Sequence, residues 1–533
     1  MAIALDRLVS LVLLVQFVLL CSSYNVTSDV IRINLTSSGL QGILHEFPFS
    51  SLPNLAYIDL FDNVLFGTIP PQIGNLSKLI YLDLSHNKLS GSVPPEIGHL
   101  TKLEFLHLVN NQFNELSENL LNGSVPASIG NLSKLETLFL RDNQFSGTSP
   151  QEIELLFLVV LELDTNNFTG FLPQNICRGG VHQNFTVSNN DLIGSISKGL
   201  RNCTSLLRVR LDGNQFTGNI FEDFGNSFYG EISRNWGRCQ KLTTLLLARN
   251  NVTGSIPPEI GNSTQLHVLD LSTNHLVGEI PKELGKLTFL VKLMLNGNKL
   301  SSGIPQELGS LTDLEYLDIS SNKLSESLPG DLDELLKLIY LNLGCSKFSQ
   351  EIPVQLGKLI PWQISTLESL EKLNLSHNNL SGSIPTSFAR MHGLLYIDIS
   401  YNELQGPIPD SLNLSHNNLS GSIPTSFARM HGLLYIDISY NELQGPIPDS
   451  KAFKEAPFEA LEGNKGLCGD VRGLQSCKLS SAHISKGSHK VVIYIIYPLL
   501  GALSLLLAFF GISLILKRRK NEWQIKQRDV NNK

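Results

Sequence analysis

The chain arranges apolar and polar positions in one recurring frame, which is clearest in residues 265–281, QLHVLDLSTNHLVGEIP. The spacing is LxxLxLxxNxLxGxIP, and it is defined by Leu266, Leu269, Leu271, Asn274, Leu276, Gly278, Ile280 and Pro281. The frame recurs 24 residues earlier at Asn250, and again at Asn298 and Asn322. A fixed period of this length predicts a solenoid, in which each repeat is one coil that buries its apolar side only against neighbouring coils.

The frame gives each position a physical role. The leucines are expected to point inward, while the alternating residues of a short strand face outward on the concave side. The asparagine is expected to turn inward, where its amide satisfies backbone groups as the chain leaves the strand. Gly278 allows a tight backbone approach, and the Ile-Pro pair favours extended chain. The sequence therefore predicts an α/β solenoid of 24-residue leucine-rich repeats, wound as a curved right-handed superhelix.

The repeats cover residues 28–450, and four intervals depart from the period. These irregular segments lie at 112–142, 214–226, 346–378 and 402–417. We expect an eight-residue insertion after Asn111, and the loss of half a coil between Asn214 and Asn226. Ser346 occupies an asparagine position, and it is expected to leave backbone groups short of a partner at a cost on the order of 1–3 kcal/mol.

The last irregularity has a visible origin. Residues 373–411 and 412–450 are the same 39 residues, without a single difference. Because 39 is not a multiple of the 24-residue period, the second copy is expected to join the first out of phase. Two interpretations stay open: a tolerated irregular coil, or a recent recombination or fault in the assembled gene.

The two ends of the chain predict secretion and membrane anchoring. Residues 1–23 resemble a signal peptide, with Arg7 ahead of an apolar stretch and a small-residue cleavage site. Residues 491–516 carry no charge and, at ~1.5 Å per residue, are long enough to cross a hydrocarbon core of ~30 Å. The basic run KRRK follows at 517–520 and places the tail in the cytoplasm.

This order predicts a single-pass type I protein of the plasma membrane with its repeats outside the cell. The expected segments after the repeats are a C-terminal cap (451–477), a juxtamembrane linker (478–490), the transmembrane helix (491–516) and a short basic tail (517–533). The net charge of −7 offers no basic surplus for nucleic acid. The histidines at 86, 107, 267 and 275 are isolated in the sequence, so we expect neither a metal site nor a cofactor.

The cysteines and glycosylation motifs fit an extracellular setting. Cys468 and Cys477 are expected to form a disulfide that staples the cap. Cys177 and Cys203 lie in adjacent coils at nearly equivalent places, so a disulfide between them is an open alternative to two free thiols. Asn-x-Ser/Thr motifs predict glycans at several sites, which include Asn25, Asn75, Asn131, Asn184, Asn251 and Asn262.

Two phrases carry a family resemblance: IGNLSKLIYLDLSHN at 73–87 and GNKGLCG at 463–469. They resemble the ectodomains of plant leucine-rich-repeat receptor-like kinases, and within these the male-discoverer-interacting receptor kinase group. The resemblance covers residues ~28–520 and implies plant-type repeats that sense a peptide outside the cell, one membrane span and a cytoplasmic serine/threonine kinase. This chain departs from the pattern in its N-terminal cap, its lost or duplicated repeats and its missing kinase domain.

No enzymatic role is expected. Residues 517–533 hold no glycine-rich loop, no VAIK-like lysine and no HRD-type catalytic loop. Asp223-Phe224-Gly225 matches the magnesium-binding DFG motif of kinases, but it lies within the extracellular repeats and no catalytic loop precedes it. We interpret this match as chance, so no catalytic residue is assigned.

The candidate binding site lies on the predicted concave face. Val209 and Leu211 point inward in the frame, so the residues between and beside them point outward. Two guanidiniums beside acidic and hydroxyl groups could hold a peptide carboxylate through bidentate hydrogen bonds. A surface ion-pair patch of little energetic value is the alternative. The candidate ligand-binding residues are Asn184, Thr186, Ser188, Arg208, Arg210 and Asp212. The aspartates at 59, 83, 270, 318 and 398 share one outward position, where a solvated acidic stripe is expected.

These features predict a cell-surface recognition protein. It would bind a secreted peptide or an extracellular partner protein and would signal, if at all, through a co-receptor kinase. Two alternatives belong to other classes. One is a truncated or non-functional derivative of a receptor-like serine/threonine kinase gene, and the other is an anchored inhibitor of secreted cell-wall enzymes.

Overall fold

The computed structural model describes most of the repeat region and the cap. The described residues are 30–111, 121–173, 175–177, 180–196, 203–219, 239–358, 370–385, 387–388, 396–406, 414–423, 436–449, 451–464 and 466–477. Within these ranges, no helix has the length and apolar character that a membrane crossing requires. The predicted signal peptide, the predicted transmembrane helix (491–516) and Asn25 lie outside them, so these assignments stay predictions.

One short strand from each coil joins a long parallel sheet, which has 15 strands within the described residues. In chain order these strands are Arg32–Asn34, Tyr57–Asp59, Tyr81–Asp83, Phe105–His107, Thr137–Phe139, Val160–Glu162, Asn184–Thr186, Arg208–Arg210, Thr244–Leu246, Val268–Asp270, Lys292–Met294, Tyr316–Asp318, Tyr340–Asn342, Lys372–Asn374 and Tyr396–Asp398. The middle residue of each strand after the first, such as Leu269, is buried, whereas Ile33 in the first strand is half-buried. The two neighbours of each middle residue lie on the open face of the sheet. The predicted parallel-sheet solenoid is confirmed.

Shorter sheets run beside the long one, where the chain leaves each asparagine. Their strands are Gln41–Ile43, Val64–Thr68 and Lys88–Ser90; Asn122–Gly123, Gln144–Thr148, Asn167–Gly170, Asp191–Gly194, Gln215–Asn219 and Asn251–Thr253; Val277–Gly278 and Lys299–Leu300; Ser349–Glu351 and Asn379–Ser381; and Gln405–Gly406, Asn418–Ser422, Glu442–Pro446 and Gly466–Cys468. All the paired strands are parallel, as one strand per coil requires.

The predicted α/β class is wrong in one respect, because the side of the coils away from the long sheet is not α-helical in the described residues. The elements there are 3₁₀-helices: Leu44–Glu46, Phe49–Ser51, Pro71–Asn75, Pro95–His99, Ala127–Asn131, Gln151–Leu155, Pro258–Asn262, Lys282–Lys286, Gln306–Ser310, Gly330–Glu334, Val354–Lys358 and Phe458–Ala460. In the described part of the chain the α-helical segment is Lys451–Lys454. Close coil spacing explains this, because a β-carbon added at Gly74 would lie 2.5 Å from the Glu96 carbonyl oxygen.

The asparagines form a hydrogen-bonded ladder through the core, which is interrupted where Ser346 replaces an asparagine. Asn274 donates from Nδ2 to the carbonyl of Leu247 in the preceding coil (2.9 Å) and to Leu271 in its own coil (3.2 Å). Its Oδ1 accepts the Val252 N–H at 3.1 Å. The inward-turning amide that the sequence predicts is confirmed, and it joins each coil to the one before it.

The ladder stays in phase through the irregular intervals. Asn143 bonds the carbonyl of Leu108 in the coil of Asn111, so residues between these coils form an insertion, as predicted. The predicted loss of half a coil after Asn214 is wrong, because Asn250 accepts the Phe216 N–H and so follows Asn214 directly. The 36-residue step between them is one enlarged coil, and Asn226 falls outside the described residues.

The identical copies also join in phase, contrary to expectation. Asn417 follows Asn402 by only 15 residues, yet its Nδ2 donates to the Ile399 carbonyl at 3.1 Å and its Oδ1 accepts the Leu404 N–H at 3.2 Å. These are the bonds that a full-length coil makes. A shortened coil therefore carries the ladder from the first copy into the second.

A column of stacked rings crosses the same junction. Consecutive ring centroids of His377, Tyr401, His416 and Tyr440 are 4.1, 4.0 and 4.3 Å apart, with nearly parallel planes. The cap continues the ladder, since Asn464 donates to the Ile438 carbonyl at 2.8 Å. The stack and the ladder together hold the duplicated coils in register.

The cysteine predictions are supported where the structure describes them. Cys177 and Cys203 form a disulfide with 5.5 Å between their Cα atoms. Cys468 and Cys477 are both disulfide-bonded. Among the described cysteines, Cys239 and Cys345 are free thiols.

Candidate functional site

The predicted site lies where two neighbouring strands of the long sheet pair in parallel. Asn184 is opposite Arg208, and Thr186 is opposite Arg210. The residues between them, Phe185 and Val209, are fully buried, which directs the flanking side chains to the open face. The outward placement of Arg208 and Arg210 is therefore as predicted: Arg208 is exposed and Arg210 is half-buried.

Three of the predicted polar residues are buried and bonded within the protein. Thr186 donates its hydroxyl to Asp164, and the Ser188 hydroxyl donates to Asp212 Oδ1 at 2.5 Å. The Ser188 N–H also donates to Asp164 Oδ1 at 2.8 Å. Buried polar groups of this kind are stabilised by such bonds. Thr186, Ser188 and Asp212 therefore form a support beneath the arginines.

The arginines leave hydrogen-bonding capacity unused. Arg210 Nε is 3.8 Å from Asp212 Oδ1, which is an ion-pair distance but too long for a hydrogen bond. This buried nitrogen has no hydrogen-bond partner among the described residues. A buried donor without a partner is unfavourable, so the Arg210 side chain is incompletely satisfied by the residues around it.

A third arginine, which the sequence analysis missed, completes the group. Arg249 Nη2 contacts Asp212 Oδ2 at 3.3 Å and Asn189 Oδ1 at 3.2 Å, while its side chain stays 61% exposed. The residue was missed because the sequence frame placed another coil between Asn214 and Asn250. The strand pairing in the structure sets Arg208 opposite Thr244, and this pairing places the coil of Arg249 next to the coil of Arg208.

The next strands towards the N-terminus add acidic groups that are already engaged. Arg141 Nε contacts Glu162 Oε2 at 3.0 Å. Burial raises the pKa of Glu162, and the neighbouring Arg141 guanidinium opposes that rise. The Glu162 carboxylate is thus paired, so the carboxylates left to offset Arg208, Arg210 and Arg249 are Asp164 and Asp212. Three guanidiniums beside two carboxylates leave one positive charge for an anionic ligand group.

The prediction that the aspartates form a solvated acidic stripe is wrong. The aspartates do share one strand position, but Asp83 and Asp318 are buried. Asp83 Oδ1 accepts the Ser85 N–H at 2.9 Å, and Asp270 Oδ1 accepts the Ser272 N–H at 3.0 Å. Each carboxylate therefore fixes the turn that follows its strand, in the manner of an Asx turn.

An aromatic surface covers the open face near the N-terminus. Tyr57 and Tyr81 stack at 4.2 Å, and His107 stacks on Phe139 at 4.4 Å. His107 Nδ1 also lies 3.3 Å from Asp83 Oδ2. Burial acts to raise the pKa of Asp83, but hydrogen bonds from His107 and Ser85 outweigh it and lower that pKa.

The glycosylation motifs occupy different surroundings. Asn75, Asn131, Asn251 and Asn262 are exposed and lie away from the open face of the long sheet. Asn184 is half-buried in a strand directly opposite Arg208. A glycan on Asn184 would cover the arginines, so this residue cannot serve both predicted roles. Across the described residues, no group of His, Cys, Asp and Glu side chains is arranged to hold a metal ion.

The coil, its buried asparagine ladder and its open parallel sheet define a leucine-rich-repeat solenoid. Models of the leucine-rich repeat match residues 66–113 and 357–406, and also 134–156, 241–263, 265–287, 289–311, 313–335 and 410–430. The chain contains leucine-rich repeats, and part of it is similar to plant leucine-rich-repeat receptor-like kinases.

Two Arabidopsis thaliana proteins show this similarity. A probable leucine-rich-repeat receptor-like protein kinase is 53% identical over 53 residues, and MDIS1-interacting receptor like kinase 2 is 52% identical over 50 residues. These alignments cover 10% and 9% of this chain. They span only 5% of the length of each relative, so they compare a small part of those proteins with this chain.

Solved structures extend the likeness to most of the chain. The plant peptide hormone receptor RGFR1, in complex with RGF2, has a TM-score of 0.71 at 27% identity, over 84% of this chain and 72% of that one. The Arabidopsis receptor kinase HAESA, in complex with the peptide hormone IDA and the co-receptor SERK1, has a TM-score of 0.50 at 26% identity, over 84% and 92%. The chain is therefore similar in fold to these plant receptors over most of its length.

Proposed function

We propose that this chain is a cell-surface receptor-like protein that binds a secreted peptide or a partner ectodomain on the open face of its long sheet. It acts at the plasma membrane as a single-pass type I protein with an extracellular repeat region and one membrane span. Signalling, where it occurs, passes through a co-receptor kinase. Within the receptor-like kinases, the proposed group is that of the male-discoverer-interacting receptor kinases.

The observation that carries this proposal is the group of three arginines on the open face. Arg208, Arg210 and Arg249 come from two adjacent coils, and Arg210 and Arg249 both lie within ion-pair distance of the Asp212 carboxylate. A ligand carboxylate over Arg208 and Arg210 would receive charge-assisted, bidentate hydrogen bonds. The buried support of Asp164, Asp212 and Ser188 fixes the strands beneath, which reduces the ordering cost of binding.

The comparisons support the class of ligand. RGFR1 and HAESA are both peptide-bound in their solved complexes, and the HAESA complex also contains a co-receptor. The regular asparagine ladder supports a functional receptor over a damaged gene derivative. The ladder continues through the duplicated residues at Asn417 and into the cap at Asn464.

A peptide library with free C-terminal carboxylates tests the proposal on the purified full-length chain. Enriched peptides are resynthesised with the carboxylate free or amidated, and their affinities are measured by fluorescence anisotropy. We expect amidation, and separately the double variant Arg208→Ala with Arg210→Ala, to weaken binding about tenfold, which corresponds to about 1.4 kcal/mol.

Lys372→Ala provides the matched control. Lys372 is an exposed cation in the same row of the same sheet, on a strand remote from the arginines. It should leave the affinity unchanged. Equal binding by wild type and the double arginine variant would refute the assignment of this site.

A further inference from the structure

Three cysteines occupy consecutive coils immediately before the strands of the arginine site. Cys203 and Cys239 each lie five residues before a strand, which begins at Arg208 in one coil and at Thr244 in the next. Cys177 lies seven residues before the strand that begins at Asn184. In coils of regular length, the position equivalent to Cys203 and Cys239 is occupied by a buried leucine such as Leu287.

The free thiol of Cys239 is stacked on the disulfide-bonded coil. Arg208 pairs directly with Thr244, so the equivalent residues Cys203 and Cys239 are one coil apart, which is about 4.8 Å between paired parallel strands. Cys239 Sγ lies 3.4 Å from the Cys203 carbonyl oxygen. Disulfides join Cα atoms that are roughly 4.4–6.8 Å apart, so this step is within range. Cys177 and Cys203, at 5.5 Å, already satisfy it.

We infer that Cys239 is a second disulfide partner for Cys203, and that the cross-link can move from Cys177–Cys203 to Cys203–Cys239. The Cys239 thiolate attacks Cys203 Sγ, a sulfur–sulfur bond forms between them, and the bond to Cys177 breaks. Cys177 leaves as a thiolate and takes up the proton that Cys239 has lost. The exchange needs neither an oxidant nor a reductant, because one disulfide and one thiol are present before and after.

The consequence is a change in which coils are tied together. Before exchange, the covalent link joins the coil of Asn184 to the coil of Arg208 and Arg210. After exchange, it joins the arginine coil to the following one, which carries Arg249. Burial raises the pKa of the Cys239 thiol to about 11, so the exchange is slow at neutral pH and accelerates as pH rises.

Disulfide mapping of the full-length chain tests the inference. Free thiols are trapped with N-ethylmaleimide in acid, and tryptic peptides are identified by mass spectrometry before and after incubation at about pH 9. We expect a linked Cys203–Cys239 peptide to appear after incubation, together with alkylated Cys177, while the total number of disulfides stays constant. A map that keeps only Cys177–Cys203 after incubation would overturn the inference.

Two variants sharpen the result. Cys177→Ser, supplied with oxidised glutathione, should form the Cys203–Cys239 bond in most molecules; alkylation of both cysteines instead would also overturn the inference. Cys239→Ala should keep Cys177–Cys203 through the alkaline incubation. Cys345 is exposed and free, so it should be alkylated in every sample and reports that the reagent was active.

Discussion

Replacing Ser346 by asparagine should repair a break in the core ladder. In the preceding coil, Asn322 Nδ2 donates to the carbonyls of Leu295 and Ile319 at 3.0 Å, and its Oδ1 accepts the Leu300 N–H at 3.0 Å. The Ser346 hydroxyl has no hydrogen-bond partner within the described part of the chain. The ladder is therefore interrupted at this coil, as the sequence led us to expect.

The backbone around Ser346 is already shaped for an asparagine. The preceding residue, Cys345, has a φ of 54°, against 53° for Ser321 before Asn322. The Ser346 N–H donates to the next coil at 3.2 Å, the same distance as the Asn298 N–H. An asparagine would therefore reach the Ile319 carbonyl and the Leu324 N–H without moving the coil.

The magnitude follows from the two bonds that cross between coils. Each contributes roughly 0.5–1.5 kcal/mol net, so Ser346→Asn should stabilise this part of the solenoid by about 1–3 kcal/mol. Hydrogen exchange followed by mass spectrometry is the appropriate assay, because coils of a repeat protein open locally. Exchange of the Leu324 amide should slow by about 5- to 150-fold.

The reverse change in an intact coil is the matched control. Asn322→Ser should remove the same two cross-coil bonds, and it should speed exchange of the Leu300 amide by a similar factor. If Ser346→Asn leaves the Leu324 amide unchanged while Asn322→Ser exposes Leu300, the ladder argument fails at the irregular coil. If neither variant alters exchange, the proposed energetic role of the ladder is wrong.

Two further predictions concern the open face. Hydrogen bonds that outweigh burial hold the pKa of Asp83 below its ordinary value of about 3.8, so its ionised form stabilises the folded state. Asp83→Asn should therefore lower the melting temperature at pH 7, and the difference from wild type should shrink as pH falls through about 4 and below. A difference that is constant with pH would contradict this assignment. Glycopeptide mass spectrometry should find Asn75 occupied and Asn184 unmodified, because only Asn75 is exposed; a glycan on Asn184 would exclude the arginine site.

The enlarged and shortened coils share one physical explanation. Neighbouring coils recognise each other through backbone hydrogen bonds and the asparagine amide, and these bonds depend on position in space rather than on sequence distance. A 36-residue step from Asn214 to Asn250 and a 15-residue step from Asn402 to Asn417 therefore end in the same contacts.

The duplicated residues illustrate the same rule at the level of side chains. His416 and Tyr440 belong to the second copy and stack as His377 and Tyr401 do in the first. The shortened coil then brings Tyr401 onto His416 at 4.0 Å. Aromatic pairs of this kind contribute about 0.5–1.5 kcal/mol each beyond their burial, so the junction is a stabilised part of the solenoid.

The sequence by itself determined the repeating unit of this protein, which is the single coil. The 24-residue frame identified the strand, the inward leucines and the asparagine amide, because each depends on residues within one coil. It also placed Arg208 and Arg210 on the outward side of their strand, since alternation along a strand is local.

Only the tertiary structure decided which coils meet. It set the coil of Asn250 against that of Asn214, brought Arg249 to Asp212, and buried Thr186 and Ser188 beneath the arginines. It also replaced the expected α-helical elements by 3₁₀-helices, because tightly spaced coils leave no room for wider turns. These outcomes depend on contacts between coils, which the spacing of residues along the chain does not encode where the period is broken.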